Sequence, residues 1–118
     1  MDSVLRDKSY SFALRIVKLH KHLTGQHKEY TLSKQILRSG TSIGALVREA
    51  QYAQSIKDFV NKLSVALKEA NETEYWMLLL KDTDFITKKM HDNIQPDISE
   101  LKKLLTSSIN TAKKKFKK

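Results

Sequence analysis

Four histidines and thirteen carboxylates are the side chains available for metal or acid–base chemistry, because cysteine is absent. A di-iron carboxylate centre built into helices needs Glu-x-x-His pairs, so that both ligands of a pair project from one face. The residues three before His20, His22, His27 and His91 are Val17, Leu19, Thr24 and Lys88, none of them acidic. No two histidines stand four apart on one helical face, so His20, His22 and His27 are expected to be solvated side chains near a helix end. The lack of cysteine removes thiolate zinc sites, disulfide frameworks and cysteine nucleophiles. Neither a Gly-rich phosphate loop, a nucleophile elbow nor a Ser/His/Asp set can be assembled. The expectation is a protein with no cofactor, no metal and no enzymatic activity.

Charge offers a different chemistry. In 118 residues, 22 Lys+Arg face 13 Asp+Glu, a formal +9, which favours nucleic acid or another anionic partner. The surplus is unevenly spread. Residues Ser99 to Lys118 hold seven lysines and one acid, Glu100, and the final run Lys113-Lys114-Lys115-Phe116-Lys117-Lys118 contributes +5 by itself. A second basic stretch contains Lys8, Arg15, Lys18, Lys21 and Lys28 with no acid between them. The candidate nucleic-acid contacts are therefore Arg15, Lys18, Lys21, Lys28, Lys102, Lys103, Lys113, Lys114, Lys115, Lys117 and Lys118. On neighbouring helices the two groups would merge into one basic surface. Lysines provide point charges for phosphates and little base discrimination. A solvated chain end is the competing explanation for the terminal run. Only Tyr10 and Phe116 are placed to stack on bases, and single-strand binders usually interleave more aromatics than that.

Small and polar residues mark a third feature. Gly40 and Gly44, with Ser39, Thr41, Ser42 and Ala45 around them, sit where a helix is expected. Each mid-helix glycine costs about 1 kcal/mol relative to alanine, so another helix should approach closely there, from the same chain or from a second subunit. Arg38, Ser42, Ala45 and Glu49 share one side of that helix, and Glu69, Glu72 and Trp76 are similarly stacked on the next. They form a candidate packing or oligomer interface in which Arg38 pairs with a carboxylate, its identity left open.

The elements that must position these groups are helices. Three glycines and one proline are too few for the turns of an all-β domain. Leu5, Phe12, Ile16, Leu19 and Leu23 mark the apolar seam of a first helix from about Ser3 to Leu23, closed by Thr24-Gly25-Gln26-His27 with Gly25 in a left-handed position. A second helix starts near Thr31 as N-cap and runs to about Ala53, burying Leu32, Ile36, Ile43, Val47 and Ala50. Ser55 and Asp58 cap a third, which carries Ile56, Phe59, Val60, Leu63, Ala66, Leu67, Ala70, Met77 and Leu80. After a short connection, Thr83 to Ile86, a fourth begins near Thr87 and continues through Met90, Ile94, Ile98, Leu101, Leu105, Ile109 and Ala112. Pro96 should kink it or mark a restart. The expected fold is all-α, an antiparallel up-down-up-down four-helix bundle, with residues 1–118 as one domain and 113–118 as a lysine-rich tail. The longest apolar run, Trp76 to Leu80, is far shorter than the roughly 20 residues a membrane span needs, and the N-terminus does not look like a signal peptide. A cytoplasmic protein with no membrane partner is expected.

The segment Gln35-Ile36-Leu37-Arg38-Ser39-Gly40-Thr41-Ser42-Ile43-Gly44-Ala45 resembles the hallmark of the bacterial four-helix-bundle proteins found in 23S ribosomal RNA intervening sequences. Ala53 to Phe59 and Leu67 to Trp76 resemble that family too, and the likeness extends from about Leu5 to Lys115. Family members commonly have Asn after the Gly-Ala pair, where this chain has Leu46. The resemblance implies a homopentamer with a central channel. It also implies kinship with accessory proteins of diversity-generating retroelements, which bind a reverse transcriptase and nucleic acid through basic surfaces. The resulting expectation is a homo-oligomeric bundle that binds RNA or DNA non-specifically, in RNA metabolism or beside a retroelement. The alternative is a scaffold engaging an acidic or helical protein partner without nucleic acid.

Overall fold

The computed structural model describes residues 3–116. Lys117, Lys118 and the side chain of Phe116 lie outside the described portion. Four helices, α1 (Ser3–Gln26), α2 (Leu32–Gln51), α3 (Ile56–Asp82) and α4 (Lys88–Phe116), build an elongated bundle of 52 × 21 × 20 Å. Each helix touches its two neighbours in the order α1, α2, α3, α4, and α4 returns to α1. Residue pairs across the seams fix the directions. Gly44 faces Ser9 while Gly40 faces Ile16. Glu49 meets Lys62 while Arg38 meets Glu69. Lys8 meets Glu100 while Arg15 meets Asp97 and Asn93. Numbers rise along one helix as they fall along the other, so these seams are antiparallel, and the short turn between α3 and α4 completes the up-down-up-down topology.

The predicted apolar stripes converge on one core. Leu5, Phe12, Ile16 and Leu23 of α1, Ile36, Ile43 and Val47 of α2, Leu63, Met77 and Leu80 of α3, and Ile98, Leu101 and Leu105 of α4 are essentially inaccessible to solvent. Leu32, Phe59, Val60, Leu67 and Met90 are partly buried against them. Ile56 is a correction: it opens α3 at the end of the bundle, where no neighbour covers it, and it is exposed. Leu46, at the position where the resemblance leads one to expect Asn, packs its apolar side chain against the core.

The helix ends differ from expectation in instructive ways. Gly25 does not end α1; the helix continues through it to Gln26, and Lys28 takes the left-handed conformation instead, at φ 52°. Thr31 flanks α2 but makes no side-chain cap. The cap is Glu29, whose carboxylate accepts from the backbone N–H groups of Thr31, Leu32 and Ser33 at 3.0, 3.1 and 2.7 Å. Ser55 caps α3 as predicted, accepting from Asp58 N–H at 3.0 Å, while Asp58 reaches back to Gln54 N–H. The turn after α3 is a Schellman motif, in which Phe85 N–H returns to the Leu80 carbonyl and Asp84 N–H to that of Lys81. Asp84 occupies the left-handed position at φ 66°, where its short polar side chain is tolerated better than most. The connection also drives Ile86 into the core, 4% exposed. Thr87 Oγ1 then accepts from Met90 N–H to start α4. The helix passes Pro96 without a restart. Pro96 and Asp92, the residue whose carbonyl loses its helical donor, are both exposed, so water can satisfy the freed oxygen.

Candidate nucleic-acid interface and the polar seams

The small-residue face of α2 is used inside the chain. A Cβ on Gly40 would stand 2.7 Å from Ile16 Cγ1, and one on Gly44 would stand 3.2 Å from the Ser9 carbonyl oxygen. Both glycines therefore let α1 lie closely against α2. Ser39 faces α3, where its hydroxyl is 3.0 Å from Thr73 Oγ1, and both residues are fully buried. Thr73 also donates to the Glu69 carbonyl. The pair thus has partners on both helices, as buried hydroxyls require.

The polar seam between α2 and α3 closes around Arg38. Its guanidinium donates to Glu69 Oε2 at 2.8 Å and pairs with Glu72, and Glu72 in turn accepts from Trp76 Nε1 at 3.3 Å. One arginine serves two carboxylates one turn apart, which a point-charge lysine could not do in this geometry. Ser42 bonds back to the Arg38 carbonyl, and Glu49 lies apart from this group, paired with Lys62 at 3.3 Å.

A second seam joins α3 to α4 through Glu74, which accepts from Gln95 Nε2 at 2.6 Å and Lys102 Nζ at 3.2 Å. Partial burial pushes the Glu74 carboxyl up, but the bonds from Gln95 and Lys102, with the Lys102 charge and His91 nearby, hold it below its ordinary value of 4.5. Glu29 behaves alike: burial is outweighed by its three backbone donors, and its carboxyl too is held below 4.5. Glu74, Gln95 and the buried His91 were not singled out from the sequence. His91 is 8% exposed, faces Asp92 through Nδ1 at 3.3 Å, and leaves Nε2 without a partner. Its position three before Ile94 and seven before Ile98 placed it on the apolar stripe, a signal the ligand-spacing test ignored. His22 and His27 pack in a T-shaped arrangement with ring centroids 5.0 Å apart, and His27 meets Phe85 in the same way at 5.9 Å.

The basic residues divide into compensated and uncompensated ones. Arg15 is committed to Asp97 and Asn93, and Lys102 to Glu74. Among the described residues Lys18, Lys21, Lys28, Lys103, Lys113, Lys114 and Lys115 have no carboxylate within ion-pair distance. The last turns of α4 gather Lys103, Thr106, Ser107, Asn110, Thr111 and Lys114 around a shallow concavity of about 570 Å³. This is a helix face of cations interleaved with hydroxyl and amide donors. The two lysine groups do not merge, although α1 and α4 are neighbours. Arg15 is level with Asn93 to Asp97, so Lys18 and Lys113 lie about 30 Å apart at 1.5 Å rise per residue. Antiparallel packing sends the α1 lysines to one end of the rod and the tail to the other. Lys117 and Lys118 fall outside the described residues.

Among the described residues no cluster of three or more His, Asp or Glu side chains is arranged to hold a metal ion. Also among them, no helix is long and apolar enough to cross a membrane. The model of the 23S rRNA-intervening sequence proteins matches residues 1–107. A crystal structure from Bacteroides thetaiotaomicron VPI-5482, described as a protein of unknown function from the S23 ribosomal protein family, is similar with a TM-score of 0.91 and 58% identity. That match covers 92% of this chain and 97% of the other. No curated protein matches. Neither the family nor the structural relative carries an enzymatic assignment.

Proposed function

The chain belongs to the 23S rRNA-intervening sequence protein family, and from this premise we propose that it is a non-enzymatic, cytoplasmic, homo-oligomeric bundle that binds RNA or DNA through phosphate contacts. The observation that carries the reading is the lysine and hydroxyl face of α4, Lys103, Thr106, Ser107, Asn110, Thr111 and Lys114, continued by the uncompensated tail lysines. Such a face meets phosphates along a backbone, and its point-charge lysines discriminate little between bases, so binding is non-specific. Lys18, Lys21 and Lys28 add a second, separate basic end. Arg15 and Lys102, already paired, contribute less than the free lysines.

Oligomerisation, a pentamer by the resemblance, needs an apolar contact surface. The glycines do not provide it, because α1 of the same chain already covers them. Tyr10, Leu14 and Val17, at spacings of four and three on α1, are exposed by 52%, 48% and 36%. They form the stripe on which a second copy would bury apolar area, and Arg48 of α2 lies over the Tyr10 ring at its edge. In a ring, five tails would act together on one nucleic acid, strengthening binding by multivalency.

Fluorescence anisotropy with labelled RNA and duplex DNA tests the central claim. The logarithm of the binding constant should fall linearly with the logarithm of salt, and removal of residues 113–118, with five lysines, should reduce the slope on duplex DNA by up to about 4.5. Absence of binding at low salt would refute it. Affinity capture that recovers protein but no nuclease-sensitive material would favour the scaffold alternative, in which the same basic face engages an acidic protein or a reverse transcriptase. Light scattering coupled to size exclusion should give a multiple of 13.6 kDa, near five; a monomer at micromolar concentration would sink the oligomer.

A further inference from the structure

We propose that the groove between α1 and α4 binds a nucleoside monophosphate unit, either the free nucleotide or the 5′-terminal nucleotide of a strand; the second source rests on the nucleic-acid reading above. α1 and α4 form the most loosely packed of the four seams. Toward the α1 C-terminus they part to leave a cavity of about 520 Å³, lined by Lys18, Leu19 and His22 from one side and Lys89, Met90 and Ile94 from the other. That volume is in the range of small-molecule sites. Leu19 and Ile94 are buried and Met90 is half-buried, so the floor is apolar and carries a thioether, a surface that favours a flat aromatic ring.

The walls select the charge. Arg15 at the rim is neutralised by Asp97. Among the described residues Lys18 and Lys89 have no carboxylate within ion-pair distance, and they stand on opposite helices across the opening. Two ammonium groups above an apolar floor match a phosphomonoester, which carries nearly two negative charges at neutral pH, joined to a flat apolar body. A carboxylate amphiphile would neutralise only one of them. The concavity on the outer face of α4 differs in kind, since it is lined by lysines, hydroxyls and an amide with no apolar floor. It can meet backbone phosphates but cannot shelter a base.

The test titrates the full-length protein with a fluorescent adenosine monophosphate and competes it with adenosine, inorganic phosphate and laurate. Adenosine monophosphate should compete at least about tenfold better than each of the other three. The double variant Lys18→Ala/Lys89→Ala should lose at least about tenfold in affinity for the nucleotide. A control, Lys57→Ala/Lys68→Ala, removes two lysines of α3 that pair with no carboxylate among the described residues and should leave affinity unchanged. Methyl resonances of Leu19 and Ile94 should shift on binding. Equal competition by inorganic phosphate, tighter binding of laurate, or equal loss in both double variants would overturn the proposal. A pair of RNA oligomers, 5′-phosphorylated and 5′-hydroxyl, separates the sources. Preference for the phosphorylated end that vanishes in Lys18→Ala/Lys89→Ala supports the terminal nucleotide, and equal affinity alongside nucleotide binding supports the free one. RNA binding retained with no nucleotide binding overturns the groove and leaves the α4 interface standing. Nucleotide binding without any RNA binding does the reverse.

Discussion

Replacing Gly40 by alanine isolates the close approach of α1 to α2. In a helix interior this exchange alone favours folding by about 1 kcal/mol, because glycine loses more backbone entropy. Here the new methyl would stand 2.7 and 2.9 Å from Cγ1 and Cγ2 of Ile16, well inside the roughly 3.5–4.0 Å at which carbon atoms attract. Those atoms sit directly on the β-carbon of a β-branched side chain, stiff at χ1, and Ile16 is wholly buried. Relief therefore requires α1 itself to shift, and overpacking of this kind costs about 1–3 kcal/mol. The net expectation is no gain, up to about 2 kcal/mol of destabilisation. Gly25 provides the internal control: it is helical, and a Cβ there would meet nothing within 4 Å. Gly25→Ala should stabilise by up to about 1 kcal/mol. Urea unfolding followed by circular dichroism, at one fixed protomer concentration because assembly would add to stability, should move the two midpoints apart, Gly25→Ala upward and Gly40→Ala level or downward. Ile16→Ala removes both clashing atoms, so in that background Gly40→Ala should recover its favourable sign. If Gly40→Ala stabilises the wild-type chain as much as Gly25→Ala does, α1 is not held against α2 in the way the structure describes.

Further outcomes follow from the polar seams. Thr73→Val should destabilise by about 1–2 kcal/mol by orphaning the buried Ser39 hydroxyl, and Ser39→Ala/Thr73→Val should recover much of that in the same unfolding assay. Arg38→Lys and Arg38→Ala should each cost about 1 kcal/mol or less, since the arginine is half exposed; a double-mutant cycle with Glu69→Gln reads the coupling. Glu29→Gln should cost about 0.5–2 kcal/mol as the loss of a charged cap. Both Glu29 and Glu74 have folded-state values lowered from 4.5. They hold protons less readily folded than unfolded, so their contribution is full above that value and disappears as pH falls through the lower folded ones. Stability should decline below about pH 4.5, and the decline measured by denaturant midpoint against pH should be shallower in Glu29→Gln/Glu74→Gln.

The position of the lysines alters what the net charge means. A formal +9 suggests one basic body, and adjacency of α1 and α4 suggests one surface. Antiparallel packing instead separates the groups, and it places two free lysines over an apolar groove at one end and a lysine run at the other. Six of the thirteen carboxylates are spent on seams: Glu69 and Glu72 on Arg38, Glu49 on Lys62, Glu74 on Lys102, Asp97 on Arg15 and Glu100 on Lys8.

Periodicity alone determined the four helices and nearly all of the core, because an apolar stripe at helical spacing has few ways to be buried. The Ser55 cap was equally legible, being a contact between near neighbours in the chain. Two caps were not. Glu29 displaces Thr31 because a carboxylate two residues upstream can reach three donors at once, and Gly25 yields its expected role to Lys28 because α1 runs on to Gln26 before the chain turns. What decided the remainder were distances between segments far apart in sequence. The partners of Arg38, the purpose of Gly40 and Gly44 within the chain and the cavity between Lys18 and Lys89 depend on which helix lies beside which, and at what level. A one-dimensional pattern records the face of each helix but not the neighbour that face meets, and it is the packing of the four helices that turns scattered charges into seams, a groove and two separate basic ends.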